Sequence, residues 1–128
     1  MTRDYTDFPE LSHLYLEDSY VLKIVESPTE VRFFLEAVLT PGSSDYRDPK
    51  SGEQYCYQNG ELIFLNVRSV KWVARSMHKH RDATGSEDLG NIDSLIERDG
   101  IYEVEGDWGR VEISSARDPR FVGYSALD

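Results

Sequence analysis

The chain has 128 residues and 14 Lys and Arg against 24 Asp and Glu, for a formal net charge of −10. That length suits a single domain over residues 1–128, and the share of aromatic residues excludes a disordered chain. The charge excludes general nucleic-acid binding, which draws on clustered Lys and Arg, and no run approaches the roughly 18 apolar residues of a membrane helix.

In chain order, Met1–Asp7 is acidic where a signal peptide would be basic and then apolar. With Cys56 as the single cysteine, this points to the cytoplasm and a reducing compartment. Tyr20–Glu26 reads as a strand with Tyr20, Leu22 and Ile24 on one side. Val31–Leu39 fits two periods. At period two Val31, Phe33, Leu35, Ala37 and Leu39 make one apolar face; at period 3.6 Val31, Phe34, Leu35, Val38 and Leu39 make a helical stripe. The complete period-two face favours a strand, with Ser27-Pro28-Thr29-Glu30 as a hairpin connection.

Thr40–Gly52 is rich in Pro, Gly, Ser and Asp and reads as a long loop. Asn59-Gly60 between Gln54–Gln58 and Glu61–Val67 predicts a hairpin turn. Leu62-Ile63-Phe64-Leu65 suggests a strand covered on both faces, and Val70, Trp72 and Val73 continue the apolar pattern. Met77–Asp88 predicts an exposed loop. Leu89–Arg98 can hold a short helix, since Ile92, Leu95 and Ile96 share a helical face. Ile101–Glu105, a Gly106-Asp107 turn and Trp108–Ser114 predict a second hairpin, and Arg120–Tyr124 an edge strand. The expected fold is mainly β, with α+β as the alternative. It is a predominantly antiparallel sheet or two-layer β-sandwich with one or two short helices.

Charge is unevenly placed. Leu62–Arg81 holds Arg68, Lys71, Arg75, Lys79 and Arg81 and no acid, whereas Asp82–Glu112 is densely acidic. Such blocks commonly face each other as surface ion pairs. The sharper reading is an acidic face on the second hairpin that steers a basic partner. Its candidate contacts are Glu103, Glu105 and Asp107, with Trp108 as an aromatic anchor.

Catalytic chemistry has little support. His78-Lys79-His80 with Asp82 could share a metal, but the basic surroundings repel a cation, so a solvated loop is the expectation. Cys56, between Tyr55 and Tyr57, lacks a local base and reads as a buried small hydrophobe. No phosphate loop, nucleophile elbow or zinc motif occurs, and no cofactor or metal is expected.

Five segments carry a family resemblance over roughly Leu14 to Val122. They are Leu16-Glu17-Asp18-Ser19-Tyr20-Val21-Leu22, Val38-Leu39-Thr40-Pro41, Gly52-Glu53-Gln54-Tyr55-Cys56-Tyr57, Gly90-Asn91-Ile92-Asp93-Ser94 and Glu105-Gly106-Asp107-Trp108-Gly109. The chain resembles a family of small, uncharacterised bacterial proteins, a resemblance that implies no catalytic role. More loosely, Asp18-Ser19-Tyr20-Val21 before a β-rich body is similar to small bacterial immunity-type proteins that neutralise toxins. The leading expectation is a cytosolic protein-binding module with a basic partner. The competing one is a small-ligand binder or enzyme with a pocket between sheet layers lined by Tyr55, Tyr57, Trp72 and Tyr102. A homo-oligomeric structural protein is the third.

Overall fold

Period-two alternation organises most of the chain in the computed structural model, which describes residues 2–76, 79–81 and 87–124. The strands among those residues are β1 (Thr2–Asp4), β2 (Leu14–Glu26), β3 (Val31–Leu39), β4 (Cys56–Phe64), β5 (Val67–Arg75) and β6 (His80–Arg81). They continue with β7 (Glu87–Asp88), β8 (Ile92–Arg98), β9 (Ile101–Gly106), β10 (Gly109–Ser115) and β11 (Arg120–Gly123). The one helical element described is a 3-10 turn at Tyr5–Asp7.

The strands form a five-stranded sheet, β1-β8-β9-β10-β5, and a four-stranded sheet, β11-β4-β3-β2, with β6 and β7 as a separate ladder. All pairings are antiparallel. The two larger sheets pack as a β-sandwich over one core, in which Phe33, Phe64, Tyr102 and Trp108 are buried. The mainly β fold expected from alternation is therefore present. On β3 the inward residues are Val31, Phe33, Leu35, Ala37 and Leu39, all buried, so the strand reading of this segment holds. Its connection to β2 is the expected Ser27–Glu30 turn, in which the Ser27 N–H donates to the Glu30 carbonyl at 2.9 Å.

Bulges explain two departures from the sequence reading. On β2 the register slips between Val21 and Lys23, so Val21 and Ile24 are buried while Tyr20 and Leu22 are exposed. The expected Tyr20, Leu22, Ile24 face is therefore not formed, because one extra residue reverses the alternation. Leu89–Arg98 holds a strand, not a helix. A register shift between Ile92 and Ser94 lets Ile92 and Leu95, three apart, both reach the core. That spacing imitates a helical face.

Asn59-Gly60 is not a turn either. β4 runs straight through it, with Gly60 paired to Leu35 on one side and Gly123 on the other. A Cβ at Gly60 would lie 2.5 Å from both the Phe121 ring and the Val122 carbonyl oxygen, so glycine here permits the close approach of β11. The chain instead turns at Leu65-Asn66, where Asn66 takes a φ of 52° and passes from the four-stranded to the five-stranded sheet. The second hairpin is present with its turn one residue later, at Asp107-Trp108. β11 is an edge strand as expected. The predicted Met77–Asp88 loop carries the paired arms β6 and β7 at its described end; His78 and Asp82, of the metal reading, lie outside the described residues.

Candidate functional site

The site begins with a break in β2. Tyr15 pairs with Val38 and Tyr20 with Glu36, so Leu16–Ser19 face only Ala37 across the ladder. The Val38 N–H, deprived of a strand partner, donates to the Ser19 hydroxyl at 2.9 Å, and that hydroxyl donates to the Tyr15 carbonyl at 2.8 Å. Ser19 is fully buried. Replacing it with alanine orphans the Val38 N–H, and urea titration should show a loss of about 1–2 kcal/mol.

The break pushes Glu17 and Asp18 out of the sheet. Tyr5 reaches across, its hydroxyl donating to the Glu17 carboxylate and accepting the Leu16 N–H. Burial first, and then the Glu17 carboxylate, push the Tyr5 phenol well above its usual range. The Asn91 side chain donates to the Glu17 carbonyl at 2.8 Å. Val21 exchanges backbone bonds with Leu89 and Gly90, tying β2 to the segment before β8.

Here a recess of about 330 Å³ opens between β2, the β6–β7 ladder and the β9–β10 turn. Glu17, Asp18 and Tyr20 line one side; His80, Arg81 and Asp88 another; Gly90, Asn91 and Asp107 complete it. Gly90 has a φ of +101°, and a Cβ there would lie 2.5 Å from an Asp107 carboxylate oxygen. Glycine thus lets the Asp107 side chain rest on the backbone, while the Gly90 N–H donates to Asp88 at 2.7 Å. Among the described residues none of Glu17, Asp18, Asp88 and Asp107 forms an ion pair. Arg81 pairs instead with Glu87 at 3.3 Å. No group of three or more His, Cys, Asp or Glu among the described residues is placed to hold a metal ion.

A second, apolar pocket of about 170 Å³ adjoins the recess. The Thr40–Tyr55 loop folds back over β3 and β4, so Pro41, Tyr46 and Pro49 face Tyr15, Tyr55 and the buried Cys56. Cys56 is buried as expected. Tyr55 stacks edge-on with Tyr15 at 6.2 Å and with Tyr57 at 6.1 Å. Its hydroxyl donates to Asp18 at 2.6 Å, which, more than burial, pushes the phenol up to about 12. Tyr55 lines the apolar pocket and Asp18 the recess, so this hydrogen bond links the two linings.

The residues expected to bind a partner are dispersed. Asp107 joins the recess. Glu103 and Glu105 lie on the outer face of the five-stranded sheet, away from it; Glu103 meets Arg110 at 3.4 Å and Arg98 at 3.8 Å, and Glu105 lies opposite Arg110. Trp108 is fully buried, its indole N–H donating to the Asn91 carbonyl at 3.0 Å, so it belongs to the core and presents no surface anchor. The four aromatics expected between the layers do not meet. Tyr55 and Tyr57 are neighbours, but Tyr102 packs on Phe8 and Phe64, and Trp72 packs on Trp108. Side chains such as Phe33 and Phe64 fill the interlayer space. Glu17, Asp18 and Asp88 are absent from the contacts expected from sequence, because Glu17 and Asp18 precede the strand read at Tyr20–Glu26 and become part of β2 only in the fold.

The chain's own geometry carries the functional reading, because no protein-family model, no curated protein and no solved structure matches it.

Proposed function

We propose that the chain is a cytoplasmic protein-binding module of immunity type, whose acidic recess receives a basic segment of a partner protein. The observation that carries this reading is the convergence of Glu17, Asp18, Asp88 and Asp107 from three separate segments around one recess. Four carboxylates against Arg81, which is itself paired with Glu87, give the recess an excess of negative charge that steers an oppositely charged partner. Tyr20, 38% exposed at the rim, offers a ring face to an incoming Lys or Arg. A buried, unpaired Cys56 supports a reducing compartment.

The test is affinity capture from the host organism with the native chain and a Glu17→Gln/Asp18→Asn/Asp107→Asn variant. A basic protein should be held by the native chain, released as salt rises towards about 0.5 M, and lost by the variant. Glu105→Gln, on the other sheet, should retain it. A captured set that ignores both the triple variant and salt would sink the reading. The small-ligand reading also has support, from the apolar pocket beneath the Thr40–Tyr55 loop.

A further inference from the structure

We infer that the apolar pocket seats one ring-sized or branched apolar side chain of the same partner whose Lys or Arg enters the recess, so that the partner is held at two adjoining points. The inference rests on the partner-binding reading above and specifies the partner's chemistry.

The chain's economy is the first argument. β3 and β4 are adjacent antiparallel strands, which a two-residue turn suffices to join. The connection from Thr40 to Tyr55 instead exceeds the about 12–15 residues beyond which structureless loops in compact domains are usually functional or disordered. This one is ordered by its own turns, with Ser43 bonded to Thr40, Tyr46 to Ser43 and Glu53 to Lys50. It brings Pro41, Tyr46 and Pro49 over Tyr55 to make an apolar wall.

Size is the second. A dry apolar cavity of about 150 Å³ admits benzene, so the 170 Å³ here suits a phenylalanine ring or a leucine. Rigid tyrosine and proline walls lose little conformational freedom on contact, as anchor pockets require.

Charge complementarity is the third, and it selects a polypeptide over a free apolar molecule. The Tyr55 ring lines the apolar pocket, while its hydroxyl is fixed to Asp18 on the wall of the acidic recess. A bound group thus lies within one side chain's length of the Asp18 carboxylate. Residues i and i+2 of an extended segment project to the same side about 6.6 Å apart, a spacing chosen to carry an apolar side chain to the Tyr55 ring and a basic one towards Asp18, its hydrogen-bond partner.

Three synthetic peptides test this on the full chain: Gly-Ser-Phe-Ser-Arg-Ser-Gly and its two versions with alanine for Phe or for Arg. Binding is read by ¹H–¹⁵N NMR titration, with Leu39 and Cys56 amides reporting the pocket and Asn91 the recess. The two-anchor peptide should shift both sets and bind about tenfold or more tighter than either control. Equal binding without Phe overturns the inference and leaves the recess reading standing. Equal binding without Arg, with shifts at the pocket alone, overturns it in favour of a lone apolar ligand. Absence of shifts at both sets with all three peptides overturns it outright.

Discussion

Replacing Trp108 by alanine should cost the fold about 3–5 kcal/mol, the range for truncating a buried large aromatic. The indole is fully buried, packs on Phe33 at 5.3 Å and on Trp72 at 5.8 Å, and so connects the two sheets across the core. Alanine removes the transfer energy of the ring and leaves a cavity that the flanking strands can only partly close. It also removes the N–H that satisfies the Asn91 carbonyl, at the segment that lines the recess. Urea denaturation measures the effect directly, with Glu105→Ala as the exposed control, expected within about ±0.5 kcal/mol. A loss below about 1 kcal/mol for Trp108→Ala would mean that the ring is not part of the core. Partner binding by the folded variant then separates stability from contact, since the side chain itself is out of a partner's reach.

The second large effect is expected at Asp118. Its carboxylate accepts two bonds from the Arg3 guanidinium, at 3.0 and 2.7 Å, and one from the buried Tyr102 hydroxyl. Arg3 also donates to Glu97 at 2.8 Å, and Glu97 accepts the Gly100 N–H at 2.9 Å. This network fastens the edge strand β1 and the segment before β11 to the five-stranded sheet. Arg3 is 38% exposed, so solvent screens its ion pairs and most of the stabilisation comes from the satisfied Tyr102 hydroxyl. Asp118→Ala should therefore cost about 2–3 kcal/mol at neutral pH, through a charged acceptor lost and a buried hydroxyl left unpartnered.

The same network sets an acid limit. Bonds from Arg3, and then from Tyr102, hold the Asp118 carboxyl below its ordinary range against the opposing effect of burial. The Gly100 N–H, followed by Arg3, does the same for Glu97. A carboxylate whose folded pKa is depressed contributes stability above its unfolded pKa, near 4, and loses it as pH falls through the folded value. Stability should hold from neutral pH to about pH 4 as far as these groups are concerned and decline below it. Urea midpoints at pH 7, 4 and 3 should show that decline in the native chain and a shallower one in Asp118→Ala. Parallel declines would show that Asp118 plays no part in acid sensitivity.

Much of the fold could be read locally. The β3 face from Val31 to Leu39 and the β9–β10 hairpin alternate without interruption, so each residue's side follows from its neighbours. The recess could not be read this way. Glu17 and Asp18 come from a break in β2, Asp88 from a two-residue arm and Asp107 from a turn. What unites them is the bonding of Val21 to Leu89 and Gly90. Among the described residues the opposite-sign blocks meet as an ion pair at Arg81 and Glu87, whereas Arg98 and Arg110, both inside the acidic stretch, pair with Glu103.

By itself the sequence determined a mainly β chain of high negative charge with a buried Cys56, because period-two patterning and composition are local properties. Tertiary structure decided where that patterning reverses. An extra residue at Leu22 or Asp93 is accommodated only against a partner strand. It likewise decided that Gly60 makes room for β11 instead of turning the chain, since glycine serves both purposes and the neighbouring strand selects one. The acidic recess and the pocket beside it are products of such long-range contacts, and the hydrogen bond from Tyr55 to Asp18 joins them.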